Sequence, residues 1–229
     1  MRRYLSQLLT VLLITAMPGI APVYATAGDD LTARLQASAP ELKGEVLQLA
    51  LEALQCAEAG GMPAVERLAV IDYSLPSSEP RLWVFDLNEA SLLFHEYVAH
   101  GSNSGGDLTT SFSNQPDSHQ SSLGLFRTAE TYQGSNGYSL RMDGLEPGFN
   151  DKARERAIVM HGADYVDDGV IDQLGRLGRS WGCPAVSLGI ARPMIDALKG
   201  GQLLFAYYPD LQWLSSSRYL HCPNQVAAR

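Results

Sequence analysis

The chain has 229 residues, 25 acidic against 17 basic, for a formal net charge of −8, and 45% of it is hydrophobic. A length of this order fits one domain with a sizeable core once a leader is set aside. The negative balance argues against nucleic acid and anionic lipid as partners.

Arg2 and Arg3 precede an apolar run from about Leu8 to Ile20, followed by Val23-Tyr24-Ala25-Thr26-Ala27. A basic start, a short apolar stretch and small residues describe a secretory signal peptide over 1–25, cleaved after Ala25 or Ala27. The run is shorter than the roughly 20 residues that span a bilayer, so an uncleaved anchor is the weaker reading and no integral membrane segment is expected after cleavage. The mature chain is expected outside the cytoplasm, in the periplasm or cell envelope.

An N-terminal helical segment is expected at 28–64. Leu42, Val46, Leu49, Ala50, Ala53 and Leu54 recur at helical spacing, which predicts one helix from Ala39 to Ala59, with Pro40 in its first turn and Gly60-Gly61 as its stop. Short runs rich in β-branched and aromatic residues then predict strands at Leu68–Tyr73, Arg81–Leu87 and Leu92–Ala99, the last two joined as a hairpin through Asn88-Glu89-Ala90. Residues 101–122 hold almost no aliphatic side chains and many Gly, Ser, Asn and Asp; they predict a long loop that is either a functional rim or lid or simply mobile. Further strands are expected at Leu123–Thr128, Tyr138–Met142, Ala157–His161 and Gln202–Tyr208, with a helix at Gly189–Leu198 ended by Gly200-Gly201. The fold class is α+β and β-rich, a body at 65–215 followed by a tail at 216–229.

Three cysteines, Cys56, Cys183 and Cys222, are an odd number for an oxidising compartment, so at least one thiol has no partner within the chain. A bridge between Cys56 and Cys222 would leave Cys183 free, but spacing alone does not fix the pairing. Chemical interest falls on His161-Gly162, at the end of an apolar strand, and on Arg179-Ser180-Trp181-Gly182-Cys183-Pro184 that follows. An imidazole that accepts the thiol proton and remains as counter-cation makes cysteine a nucleophile, and backbone amides near a glycine can hold the oxyanion that its attack creates. The competing reading is a small buried hydrophobic cysteine and a structural histidine.

His161-Gly162 followed by Ser180-Trp181-Gly182-Cys183 resembles the His-Gly … Ser-x-Gly-Cys signature of the L,D-transpeptidase catalytic domain (YkuD-type), and Ser122-Leu123-Gly124-Leu125-Phe126 resembles that family's upstream Thr-Pro-x-Gly-x-Phe strand. Val98-Ala99-His100-Gly101 through Ser104-Gly105, with Gly200 to Tyr207, resembles its divergent murein branch. The resemblance implies a YkuD-like β-sandwich or barrel with an N-terminal helix and a helix after the cysteine. It also implies that Cys183 attacks the bond between the L-centre of a diamino acid and the terminal D-alanine of a peptidoglycan stem peptide. In that scheme His161 is the base, the Gly162 carbonyl orients its ring, the Gly182 and Cys183 amides form the oxyanion hole, and Ser180 supports the turn. His100, Ser122, Trp181, Arg179 and Tyr165 are the substrate-binding candidates. The family's arginine two residues after the cysteine is Ala185 here, so Arg179, Arg192 or Arg141 would have to substitute, or the specificity differs.

No cofactor is expected. His95 and His100, five apart on a strand, fall on opposite faces and form no helical His-Glu-x-x-His pattern, so no metal site is expected either. Asp164, Asp167 and Asp168 read as a solvated turn whose charge could attract an amine acceptor. The sequence leaves the oligomeric state open.

Overall fold

The computed structural model describes residues 27–222; the leader expected at 1–25 lies outside them. Two helices open the chain, α1 (Ala27–Ser38) and α2 (Gly44–Ala59). The single helix expected from Ala39 is therefore shorter, and the reason is Pro40: it disfavours helical backbone at Ala39. The turn between the helices is held by Gln36 Nε2, which donates to the carbonyls of Ala39 and Leu42 at 3.2 and 2.8 Å. Leu42 still reaches the core from that turn.

Strands β1 (Arg67–Asp72), β2 (Leu82–Asp86) and β3 (Ser91–Glu96) form an antiparallel meander, with β2 and β3 joined as the expected hairpin. β4 (Gly124–Gly134) and β5 (Gly137–Gly144) make a hairpin longer than their apolar runs predicted, because its outer half is half-buried or exposed and carries no aliphatic signal. Next come β6 (Val159–Ala163), α3 (Asp168–Leu174), β7 (Ala185–Ser187), α4 (Leu188–Leu198), β8 (Leu203–Tyr207) and α5 (Leu211–Ser216). The turn expected at Asp167 and Asp168 is the start of α3: the Asp167 carboxylate accepts from the Gly169 amide at 2.8 Å and caps it.

All eight strands share one sheet, in the order β3-β2-β1-β8-β4-β5-β6-β7. Only β1 with β8 and β6 with β7 run parallel. The main core lies under its centre, where Leu68, Val70, Phe85, Leu204 and Phe205 pack with Val46, Ala50 and Leu54 of α2 and Met194 and Leu198 of α4. A buried phenylalanine or leucine of this kind contributes roughly 2–3 kcal/mol. A second, smaller cluster of Ala99, Ala163, Val166, Leu177 and Ala185 sits beside β6 and β7.

The sheet's two edges are drawn together. The chain leaves β3 after Glu96, earlier than the expected Ala99, and crosses to the far edge: the Ala99 amide donates to the Ala185 carbonyl at 2.8 Å, the Ser180 amide to His100 at 2.9 Å and the Ser102 amide to Ser180 at 2.7 Å. Bridges at Ala99–Ala185 and Gly101–Ser180 thus narrow the seam of a nearly closed barrel. A disulfide joins Cys56 of α2 to Cys222, with the Cα atoms 5.7 Å apart, and leaves Cys183 as the free thiol.

Candidate active site

Cys183 stands at the seam, two residues before Ala185, which pairs with His161 of β6. Its side chain is buried at 9% exposure. The sulfur accepts from the Val159 amide at 3.4 Å and lies 3.7 Å from the Ala157 carbonyl. His161 is also buried, at 4% exposure, and its Nδ1 lies 3.0 Å from the Gly162 carbonyl. That contact suits an Nδ1–H donor and leaves Nε2 as the basic nitrogen. Gly162 is required by packing: a Cβ there would come within 2.9 Å of the Ala191 methyl and 3.2 Å of Leu188 Cδ2, so only glycine lets α4 lie against the histidine strand.

Among the described residues no hydrogen bond joins the thiol to the imidazole. Burial pushes the Cys183 thiol above its ordinary value, opposed by the Val159 amide and the Arg156 charge. Burial likewise holds His161 below its ordinary value, opposed by its contact with Gly162. Both groups are thus neutral at rest, and the thiolate must be generated within the site.

Ser180 braces the turn. Its hydroxyl donates to the Cys183 carbonyl at 2.7 Å and accepts from the Gly182 amide at 3.0 Å. The resemblance implied an oxyanion hole from the amides of Gly182 and Cys183, but the first already has an acceptor. The Cys183 amide has none among the described residues. Gly182 adopts φ 117°, in the region that favours glycine, and a Cβ there would meet the Gln120 carbonyl at 2.7 Å.

The substrate-binding candidates divide. Trp181 is 75% exposed and stacks on His119, ring centroids 4.9 Å apart and planes at 6°, forming an aromatic shelf two residues before Cys183. Tyr165 is half-buried, and its phenol is pushed up to about 12 by burial, then by Cys183 and Asp164. Arg179 is pinned to the carbonyls of Ser102 and Gly105 at 3.1 and 2.8 Å. Ser122 is buried, its hydroxyl donating to Ser113. His100 is fully buried behind the turn, not in an open groove: Arg81 Nη2 lies 2.7 Å from its Nδ1, and burial followed by Arg81 lowers its pKa to about 4. His95 stacks on Trp83, and no metal-binding cluster occurs among the described residues.

The loop at 101–122 is held, not loose. Ser104, Thr109, Asn114 and Ser121 are buried, the Gly101 amide donates to Ser121 at 3.0 Å, and the Ser121 amide donates to Ser104 at 2.9 Å. Of the three arginines proposed to stand in for the missing one, Arg141 pairs with Glu130 at 3.2 Å and Arg192 lies over the Tyr138 ring at 4.5 Å. Arg156 Nη2 lies 3.3 Å from where a Cβ on Gly182 would stand, and its charge works against the rise of the Cys183 pKa. It sits in a charged turn before β6, and nothing in its sequence setting marks it out.

The model of the L,D-transpeptidase catalytic domain family matches residues 38–207. Comparison with curated proteins gives no match. Similar solved structures include an L,D-transpeptidase from Mycobacterium smegmatis at 13% identity and TM-score 0.40, covering 62% of this chain and 59% of that one. L,D-transpeptidase 1 from Mycobacterium tuberculosis is similar at 13% identity and TM-score 0.34, with 62% of each chain covered. An L,D-transpeptidase from Stackebrandtia nassauensis is similar at 13% identity and TM-score 0.36, with 79% and 90% covered. The chain thus spans about three fifths of the length of the two mycobacterial proteins.

Proposed function

The chain belongs to the L,D-transpeptidase catalytic domain family, and from that premise we propose that it is a peptidoglycan L,D-transpeptidase acting through a thioester at Cys183. The observation that carries the reading is the pairing of β6 with β7, which sets the one free thiol against the backbone of the strand that bears His161, with Nδ1 of that histidine already engaged by Gly162.

In this reading a stem peptide enters along the shelf of Trp181 and His119, and the thiol turns from the Val159 amide toward His161. The proton passes from sulfur to Nε2. Sulfur attacks the carbonyl between the diamino acid's L-centre and D-alanine, and the Cys183 amide stabilises the oxygen that takes up the charge. The carbon–nitrogen bond breaks, the imidazolium returns the proton to the leaving nitrogen, and D-alanine departs. The amine of a second stem then attacks the thioester, losing a proton to His161, and the thiol is restored. The leader at 1–25 would deliver the chain to the wall outside the cytoplasm.

The test is to incubate the mature protein with a disaccharide tetrapeptide and to weigh both products and protein by mass spectrometry. A cross-linked dimer, with an acyl adduct on Cys183, is expected. Tripeptide alone would mean that water resolves the thioester and the protein is an L,D-carboxypeptidase. With neither product nor adduct the enzymatic reading fails and a wall-binding module takes its place. Cys183→Ala is expected to abolish turnover and adduct while unfolding at nearly the wild-type temperature; retained activity would remove the nucleophile assignment.

A further inference from the structure

Arg156 lies in the turn before β6, and its guanidinium is half-buried under the 113–122 stretch. Nη1 donates to the Ser113 carbonyl at 2.7 Å and to Ser122 Oγ at 2.6 Å; Nη2 donates to the Gln120 carbonyl at 2.6 Å and to Ser118 Oγ at 3.1 Å. Every one of these acceptors is neutral. Among the described residues no carboxylate pairs with Arg156, and the one ionisable group it acts on is Cys183. A part-buried cation without an anion is costly, so an unmatched one beside a thiol calls for a reason.

The geometry supplies one. Nη2 lies 3.3 Å from where a Cβ on Gly182 would stand, so the guanidinium packs against the backbone immediately before the thiol. His161 makes no hydrogen bond to the sulfur in the resting site, and a neutral imidazole offers it no charge. Tyr73 and Tyr165, whose phenols are also raised by the Cys183 charge, are kept neutral first of all by burial. Among the described residues Arg156 is therefore the one full positive charge that acts on the thiol as it ionises.

We propose that Arg156 is the fixed counter-cation of the Cys183 thiolate, a positioning residue that joins the loop at 113–122 to the nucleophile through a single guanidinium. This rests on Cys183 being the nucleophile. When the thiol ionises, its proton goes to His161 Nε2 and the sulfur charge rests between the Val159 amide and the Arg156 field. When the sulfur attacks, that charge moves to the carbonyl oxygen, and Arg156 keeps its neutral acceptors throughout.

The experiment is a titration of Cys183 by ultraviolet thiolate absorbance in the mature protein, with Cys183→Ala subtracted as blank. Arg156→Gln is expected to raise the midpoint by about one pH unit, a tenfold loss of thiolate at a given pH. Arg156→Lys, which keeps the charge but not the fork to Ser122 and Gln120, is expected to stay close to wild type. Ser122→Ala, which loosens the clasp without touching the charge, should also leave the midpoint in place. An unchanged midpoint in Arg156→Gln, or an equal shift in Arg156→Lys, overturns the proposal and leaves Arg156 as a structural clasp. Arg156→Met serves the same comparison if the glutamine variant does not fold. The titration needs no substrate, so an inactive protein with the expected shift would count against the transpeptidase reading alone, and an active protein without the shift against Arg156 alone.

Discussion

Gly182 shows how narrowly Cys183 is placed. Its φ of 117° and the 2.7 Å that would separate a Cβ from the Gln120 carbonyl leave no room for alanine without moving backbone. Gly182→Ala is expected to lose about 1–3 kcal/mol of stability from the strained backbone. The displaced thiol should lower turnover by about a hundredfold, read by cross-link formation together with a melting curve. Retained activity in that variant would mean that the turn is looser than its contacts indicate. At this scale the sequence was most informative: an odd cysteine and a histidine before a glycine were both visible as chemistry. Arg156 was not, because in the run Lys152 to Arg156 nothing separates it from Arg154, which pairs with Glu130 at 2.9 Å on the surface. Only the long-range approach of 113–122 distinguishes the two.

Between residue and molecule, the strands with β-branched, apolar runs were legible and the short elements were not. β7 has three residues, too few for a pattern, and α3 has no buried face to give it a helical period. The segment from Tyr97 to Ala99 read as the end of a strand, and with the first residues of the expected loop it proved to be the seam. Its anchor is Arg81, at the mouth of β2, whose guanidinium donates to the Leu75 and Val98 carbonyls and meets His100. Because the His100 pKa is depressed to about 4, from an ordinary 6.5, the neutral ring is what the fold favours. The stability it confers is present above pH 6.5 and is lost as pH falls toward 4. His100→Asn, which keeps an acceptor for Arg81, is expected to melt below wild type at neutral pH, with the gap closing across that interval. A gap that stays constant would show that the His100 ring does not titrate with folding.

For the whole molecule, the disulfide between Cys56 and Cys222 ties α2 to the end of the described chain across 166 residues. Reduction is expected to lower stability by about 2–5 kcal/mol, seen as a drop in melting temperature. Thiol counting on denatured protein should give one free thiol before reduction and three after; any other count would revise the pairing. The pairing was undecidable from spacing because Cys56 and Cys222 are brought together only by the finished fold.

The seam gives the site a place in time as well as in space. Cys183 stands where the two edges of an eight-stranded sheet meet, held there by bridges that join segments far apart in the chain, Ala99 to Ala185 and Gly101 to Ser180. Contacts so far apart in sequence carry a large loop-closure entropy. Under the proposed function, a chain with that seam open carries the thiol and the imidazole but not the turn that presents the nucleophile, so closing the seam and gaining activity are one event.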